Sequence, residues 1–239
     1  MMTPELLIFD CDGVLIDSEP VASRVFWKAL QSAGATLSHA EVHKRFTGYS
    51  EADARDICIQ ELGLKDVDGI FADARDNLYA EFARSLAPMP GIAELIRSLP
   101  HMKCVASNST MERLENSLGL FDLWDEFAPN IFSADMVARA KPAPDLFLLC
   151  AETIGVDPAK CLVIDDSPHG IAGAVAAGMS GIGFVDPADP REGRSAVLAE
   201  AGATLVATGV EELSAALSTV FSAAPVNPAE RAVKIPTPV

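Results

Sequence analysis

Six short apolar runs, separated by longer amphipathic stretches, set the pattern of this chain. The runs are continuous, as expected of buried strands, whereas the stretches between them place apolar residues three and four positions apart, which is typical of helices. The predicted strands are 5–9, 103–107, 131–133, 161–165, 181–185 and 204–206. The predicted helices between them are 92–99, 114–118, 146–154, 171–177 and 213–221.

This alternation of strands and helices predicts an α/β fold in which a Rossmann-like parallel sheet carries helices on both faces, making three layers. An insertion of about 70 residues interrupts the alternation after the first strand, and its apolar residues keep helical spacing, as at Val21, Val25 and Ala29. The insertion therefore predicts an all-helical cap. The predicted units are a catalytic core over 1–16 and 88–223, a cap over 17–87 and a flexible Pro-rich tail over 224–239.

Composition and charge narrow the class of protein. Of the 239 residues, 49% are hydrophobic, enough for a sizeable core, and no apolar run is long enough to cross a membrane. The first residues have neither the basic flank nor the apolar centre of a signal peptide, so we expect a cytoplasmic protein. The formal net charge of -16 argues against nucleic acid or an anionic membrane as a partner. The five cysteines are scattered, with no Cys-x-x-Cys pair, and indicate neither disulfides nor a zinc site.

Two carboxylates two residues apart end the first predicted strand. In an extended backbone Asp10 and Asp12 project to the same side, and Gly13 lets the chain turn away beneath them. The carboxyl end of a parallel strand is where open α/β sheets bind their ligands, so the pair predicts an active site. The alternative is an ordinary acidic turn, since Asp and Gly are common in turns.

Polar residues also follow two later strands and occupy one loop. Ser107 and Asn108 close the second strand, Lys141 precedes a predicted helix, and Asp165 and Asp166 end the strand that begins at Cys161. Each alone has a simpler explanation, because such residues also cap helices or lie solvated at the surface. Four carboxylates in one cluster would repel each other without a cation, and Mg²⁺ suits hard oxygen ligands.

Taken together, these four segments resemble the four motifs of the haloacid dehalogenase superfamily, from Asp10 to about Val185. The long insertion after Gly13 is similar to the subgroup that holds beta-phosphoglucomutase and the sugar-phosphate and phosphoglycolate phosphatases. The resemblance implies a magnesium-dependent phosphatase in which Asp10 is the nucleophile, forming an aspartyl-phosphate. It implies that Asp12 is the general acid and then the base, a role for which a neighbouring carboxylate would raise its pKa.

The same resemblance assigns the remaining site residues. Phosphate would be bound by Ser107, Asn108 and Lys141. The metal ligands implied are the carboxylate of Asp10, the main-chain carbonyl of Asp12, and the acidic side chains of Asp165 and Asp166, one of these through water. In the cap, Arg45 lies in a segment that resembles one reaching over the active site, where it would clamp a second anionic group. A solvated arginine at a helix end is the alternative for Arg45.

Three functions remain open from the sequence. A phosphatase acting on a small sugar or sugar-acid phosphate is favoured, because the run from Asp17 to Arg24 looks like that of hydrolases acting on 6-phosphogluconate. A phosphosugar mutase is the second, although beta-phosphoglucomutase carries a histidine where this chain has Ala22. A non-catalytic phosphate-binding protein is the third. We expect a small phosphorylated metabolite as partner, and a monomer or weak homodimer.

Overall fold

A computed structural model describes residues 3–46, 51–189 and 191–222. One sheet of six parallel strands forms its centre, in the order β3-β2-β1-β4-β5-β6. Its strands are β1 Leu6–Phe9, β2 Met102–Ser107, β3 Ile131–Ser133, β4 Cys161–Asp165, β5 Ser180–Val185 and β6 Leu205–Thr208. The parallel α/β fold predicted from the sequence is confirmed, and all six strands overlap the predicted runs.

Helices fill both faces of the sheet and the insertion after β1. Between β1 and β2 lie α1 Glu19–Ser32, α2 His39–Phe46, α3 Glu51–Gln60 and α4 Val67–Ser85. The later helices are α5 Ile92–Ser98, α6 Met111–Glu115, α7 Asp145–Ile154, α8 Pro168–Ala176, α9 Arg194–Glu200 and α10 Gly209–Ser222. Among the helices described, none is both long enough and apolar enough to span a lipid bilayer.

Four helices differ from the sequence prediction by more than one residue. Helices α8 and α10 begin at Pro168 and Gly209 rather than at 171 and 213. The helix predicted at 114–118 begins earlier, because the Thr110 hydroxyl accepts a hydrogen bond from the main-chain N–H of Arg113 and caps α6. Helix α9 was not predicted at all. It buries only Leu198, so its sequence carries no apolar stripe for periodicity to detect.

The core lies on both faces of the sheet because side chains alternate along each strand. Leu7 and Phe9 of β1 join the cluster under α5, α6 and α10, whereas Leu6 and Ile8 join the cluster under α7 and α8. All four side chains are fully buried. This double burial places the carboxyl end of β1 at the centre of the molecule.

The insertion has an apolar cluster of its own, which runs from Ala29 to Ile70. Its base also touches the core, since Val21 and Phe82 belong to the cluster beneath the sheet. On this packing we propose that residues 17–87 form a cap on a core of 1–16 and 88–223. The predicted tail, 224–239, lies outside the described residues.

Candidate active site

The carboxyl ends of β1, β2 and β4 meet at one cavity of about 940 Å³. Phe9 pairs with Val105 of β2 on one side and with Ile164 of β4 on the other, so the residues that follow them are neighbours. Six of the predicted site residues line the cavity, namely Asp10, Asp12, Ser107, Asn108, Lys141 and Asp166. Asp165 lies fully buried beside them.

The Lys141 side chain is the centre of the site. Its ammonium nitrogen donates to Oδ1 of Asp10 and to Oδ2 of Asp165, both at 2.8 Å, and the side chain is only 3% exposed. Burial alone would lower the pKa of Lys141, but the two carboxylates reverse this and raise it above its usual value. Lys141 is therefore a fixed positive charge rather than a solvated surface lysine.

Asp10 faces the cavity in a poorly solvated position. Burial raises the pKa of Asp10 to about 7, with a further contribution from Asp165, while Lys141 opposes the change. The main-chain N–H of Asp10 continues the ladder with β4 by donating to the carbonyl of Ile164 at 2.9 Å. The sheet thus fixes the backbone from which the Asp10 carboxylate projects.

Asp165 already has partners for both of its oxygens. Oδ1 accepts from the main-chain N–H and the hydroxyl of Ser167 at 2.9 and 2.7 Å, while Oδ2 accepts from Lys141. Helix α8 approaches so closely that a Cβ on Gly170 would lie 1.9 Å from Cγ of Asp165. Asp165 is therefore placed to hold Lys141, and a direct bond from it to a metal would compete with these contacts.

The surroundings of the Asp166 carboxylate differ from those of Asp165. Within the described residues, its carboxylate makes no hydrogen bond and no ion pair. Burial raises its pKa well above the usual value, and Asp165, Asp10 and Glu19 add to the rise. Gly13, with φ +79°, brings the backbone so near that a Cβ there would lie 2.7 Å from Oδ2 of Asp166.

A divalent cation fits this environment. One carboxylate oxygen each from Asp10, Asp165 and Asp166 lies within 4.8 Å of the others. Lys141 makes ion pairs with the first two of these carboxylates, whereas Asp166 makes no ion pair among the described residues. Buried, uncompensated oxygen ligands are the donor set that Mg²⁺ prefers, so the residues present suit that ion.

Asp12 is held by three side chains that sequence reasoning did not identify. Its Oδ1 accepts from the Ser18 hydroxyl at 2.5 Å and from Nη2 of Arg113 at 3.0 Å, and its Oδ2 accepts from the Ser109 hydroxyl at 2.7 Å. The guanidinium of Arg113 also stacks 5.5 Å above the ring of Phe82, which joins the core to the cap.

The expected rise in the pKa of Asp12 is therefore wrong. Burial acts to raise this pKa, but the positive charge of Arg113 and the hydrogen bonds from Ser18 and Ser109 outweigh it and lower the value. The expectation rested on a neighbouring carboxylate, whereas the charged group in contact with Asp12 is a guanidinium. No local pattern in the sequence marks Arg113 for this contact, since the two residues are 101 positions apart.

Ser107 and Asn108 differ in whether their side chains still have a hydrogen-bond donor available for a ligand. The Ser107 hydroxyl oxygen accepts from the main-chain N–H of Ser109 at 3.1 Å, which leaves its proton to be donated. The Asn108 side chain instead bonds the backbone of Lys141 in both directions, donating to its carbonyl at 3.0 Å and accepting from its N–H at 2.9 Å. Asn108 thus fastens the lysine loop to the end of β2.

Arg45 does not lie with the other predicted site residues at the cavity. Its guanidinium makes an ion pair with Glu61, which follows α3, and it is not among the residues that line the cavity. The arginines that do line it are Arg75 of the cap and Arg113, Arg191 and Arg194 of the core. Arg191 lies between β5 and α9 and Arg194 is the first residue of α9, and neither periodicity nor a motif marks them in the sequence.

Comparison with known proteins agrees with this geometry. Residues 4–178 match the haloacid dehalogenase-like hydrolase family. The 6-phosphogluconate phosphatase of Escherichia coli (strain K12) is 32% identical over 191 residues, covering 78% of this chain and 84% of that protein. Hexitol phosphatase B of the same strain is 32% identical over 210 residues, covering 80% and 90%.

A solved structure shares the whole architecture. The HAD family hydrolase from Deinococcus radiodurans R1, crystallised with bound phosphate and sodium, superposes with a TM-score of 0.80 at 29% identity. The match covers 92% of this chain and 97% of that one. With a family match across 4–178 and the four motif segments gathered at one cavity, the chain belongs to the haloacid dehalogenase-like hydrolases.

Proposed function

We propose that this protein is a magnesium-dependent phosphatase that hydrolyses the phosphate monoester of a small sugar or sugar acid through an aspartyl-phosphate. The observation that carries the proposal is the contact of Lys141 with both Asp10 and Asp165 at 2.8 Å, beside a cavity that Asp10, Lys141 and Asp12 line together. Nucleophile, proton donor and fixed positive charge are the groups that phosphoryl transfer requires.

In the first half of the reaction, a carboxylate oxygen of Asp10 attacks phosphorus as the bond to the leaving alkoxide breaks. Asp12 takes up a proton once the anionic phosphate lies beside it, because that negative charge opposes the lowering of its pKa by Arg113, and gives this proton to the alkoxide, which departs as the alcohol. In the second half, the Asp12 carboxylate takes a proton from water, and the resulting hydroxide displaces the phosphoryl group from Asp10. Splitting one displacement into two in this way lowers the individual barriers.

The phosphoryl oxygens would be bound by the Lys141 ammonium and the Ser107 hydroxyl, both of which face the cavity. Asn108 would act through Lys141, because its amide already holds the backbone of that residue. Donors fixed before the reaction begins stabilise the charge that develops on the transferred group.

Magnesium would be held by the carboxylates of Asp10 and Asp166 and by the main-chain carbonyl of Asp12. Asp165 would contribute from further out, through water, since both of its oxygens have other partners. When bound, Mg²⁺ supplies positive charge to the phosphoryl oxygens and offsets the repulsion among these carboxylates.

Two observations support a small polyol phosphate as substrate. The cavity of about 940 Å³ is within the range of small-molecule sites, and Arg75 and Tyr79 of α4 form part of its lining. The relatives named above act on 6-phosphogluconate and on hexitol phosphates, according to their names.

All five cysteines are free and buried, which suits a cytoplasmic enzyme, and we propose a monomer or weak homodimer.

The test is release of inorganic phosphate from an aryl phosphate and from a panel of sugar phosphates, with and without Mg²⁺. We expect turnover with Mg²⁺, none after chelation, and none in Asp10→Asn, whose side chain has the same shape but is a far weaker nucleophile. Rapid acid quenching of the wild type should trap phosphate on Asp10. Substantial turnover in Asp10→Asn would contradict the covalent mechanism, and a preference for nucleotides or phosphopeptides would contradict the substrate class.

A further inference from the structure

The stretch from the end of β5 to the first residue of α9 contributes two arginines, Arg191 and Arg194, to the cavity. Five described cationic side chains line this one cavity, out of 18 Lys and Arg in a chain of net charge -16. Lys141 and Arg113 already have carboxylate partners within the catalytic group. Arg191 and Arg194 belong to neither the four motifs nor the cap, and the proposed chemistry gives them no role.

One buried carboxylate holds both arginines. Asp189, whose side chain is 8% exposed, accepts from Nε of Arg191 at 2.8 Å and from its Nη2 at 2.7 Å, and lies 3.3 Å from Nε of Arg194. Arg194 in turn donates from Nη2 to the main-chain carbonyl of Asp166 at 2.5 Å. The pair is therefore anchored beside the proposed metal ligands, and its positions are fixed before any substrate arrives.

The net charge of these three side chains and the N–H donors that they leave unused define what they can bind. Two guanidiniums and one carboxylate leave a net charge of +1, with the carboxylates of Glu19 and Asp166 as further neighbours of Arg191. Arg191 uses Nε and one side of Nη2 on Asp189, while its Nη1 makes no hydrogen bond within the described residues. A guanidinium has five N–H donors, so the edge formed by Nη1 and Nη2 remains available for a second oxyanion.

We infer that Arg191, held by Asp189 and flanked by Arg194, is the specificity-determining residue that binds a carboxylate of the substrate, a group other than the phosphate that Asp10 attacks. The inference rests on the proposed phosphatase function and narrows it to sugar-acid phosphates. It also moves recognition of the second anion from the cap residue Arg45, which is paired with Glu61, to Arg191, which is paired with Asp189. Asp189 is a positioning residue that acts through Arg191.

Two substrates that differ only at one carbon test the inference. 6-Phosphogluconate and glucitol 6-phosphate share the same chain and phosphate, but the first ends in a carboxylate and the second in a CH₂OH group. We expect wild type to favour 6-phosphogluconate in kcat/KM, and Arg191→Gln to lower that preference by about 10- to 100-fold, as expected for loss of a bidentate charged pair. Arg191→Lys should not restore it, because an ammonium lacks the planar fork.

Further variants separate recognition from a structural role. Asp189→Asn should raise KM for 6-phosphogluconate more than it changes kcat, because it loosens Arg191 without touching the reacting atoms. Arg84→Gln is the matched control: its side chain is 76% exposed on α4, outside the cavity, so both rates should stay as in wild type. Equal losses on both substrates in Arg191→Gln, or loss of the preference in Arg45→Gln instead, would overturn the inference.

A binding measurement keeps this inference distinct from the proposed function. In Asp10→Asn with Mg²⁺, titration calorimetry should show tighter binding of 6-phosphogluconate than of glucitol 6-phosphate, and adding Arg191→Gln should remove the difference. Should wild type release phosphate from neither compound, the proposed function fails while the calorimetry still decides the role of Arg191. Should wild type hydrolyse both equally well, the proposed function stands and the inference fails.

Discussion

The ammonium of Lys141 lies 2.8 Å from the carboxylate of Asp10, although 131 positions separate the two residues in the sequence. Removing one partner of a buried ion pair leaves the other charge uncompensated, which costs about 3 to 5 kcal/mol. We therefore expect Lys141→Gln to lower the free energy of unfolding by about that amount and kcat by about 10²- to 10³-fold, the usual loss of a preorganised charge.

Urea unfolding and phosphate release measure both effects. The control is Lys160→Gln, because Lys160 makes an ion pair of similar length with Glu5 but is 37% exposed. An exposed pair contributes about 0 to 1 kcal/mol, so this variant should resemble wild type. Similar small losses in both variants would show that burial does not strengthen the Lys141 contacts.

Most of the fold followed from periodicity and strand ends. Each predicted strand was found because parallel strands buried on both faces read as continuous apolar runs. Asp10, Asp12 and Asp166 were located because the carboxyl ends of parallel strands are where open α/β sheets bind their ligands. Sequence pattern failed at α9, where one buried residue, Leu198, does not make a period.

The contacts between side chains could not be predicted in the same way. Ser109 and Arg113 reach Asp12 from 97 and 101 positions away, and only the packing of α6 beside β1 brings them together. Arg45 was chosen for its charge and its place in the cap, but a nearby carboxylate, Glu61, pairs with its guanidinium. The local sequence determines which residues end a strand, but it does not determine which cationic side chain pairs with which carboxylate.

We expect the Asp166 carboxylate to destabilise the metal-free protein and to be needed for its stabilisation by Mg²⁺. Around this half-buried carboxylate the repulsion from Asp165, Asp10 and Glu19 outweighs the attraction of Arg191, so Asp166→Asn should stabilise the metal-free protein by about 1 to 3 kcal/mol, or several degrees in Tm. Mg²⁺ should raise the Tm of wild type but not of the variant, because a ligand stabilises only the state that binds it.

Thermal unfolding with and without Mg²⁺ checks this prediction, and Asp125→Asn, at an exposed carboxylate, is the control. The control should leave both the metal-free Tm and the Mg²⁺ response as in wild type. A metal-free Asp166→Asn protein less stable than wild type, or one with an undiminished Mg²⁺ response, would show that Asp166 is not the ligand.

Arg113 should matter most for substrates that need a proton donor. Arg113→Met removes the ion pair that orients Asp12 but keeps an apolar side chain against Phe82. We expect kcat for an alkyl phosphate to fall by about 10- to 100-fold, part of the total that general acid catalysis contributes. An aryl phosphate, whose leaving group departs without protonation, should lose far less.

Steady-state rates on glucitol 6-phosphate and on 4-nitrophenyl phosphate give the comparison. Arg139→Met is the control, because Arg139 pairs with Asp145 at a position 71% exposed and outside the cavity. Equal losses on both substrates would mean that Arg113 supports the fold, through its contact with Phe82, rather than Asp12.

Gly170 should tolerate no side chain. A Cβ there would lie 1.9 Å from Cγ of Asp165, so Gly170→Ala must displace either α8 or the carboxylate that holds Lys141. We expect a loss of at least about 2 kcal/mol in unfolding free energy, together with reduced kcat. Gly119→Ala is the control, since the nearest atoms to its Cβ would be 3.7 Å away, and it should change stability by less than about 0.5 kcal/mol. Equal stability of the two variants would contradict the close approach.

Hydrolysis rather than phosphoryl transfer between sugars is the last prediction. A mutase must keep its aspartyl-phosphate from water until a second sugar hydroxyl arrives, whereas a hydrolase need only admit water. Beta-phosphoglucomutase carries a histidine at the position of Ala22, on α1, and a methyl group cannot hydrogen-bond an incoming sugar. Incubation with beta-glucose 1-phosphate, Mg²⁺ and a trace of glucose 1,6-bisphosphate should therefore release inorganic phosphate faster than it forms glucose 6-phosphate. Asp10→Asn should form neither product, and glucose 6-phosphate as the faster product in wild type would make this protein a mutase.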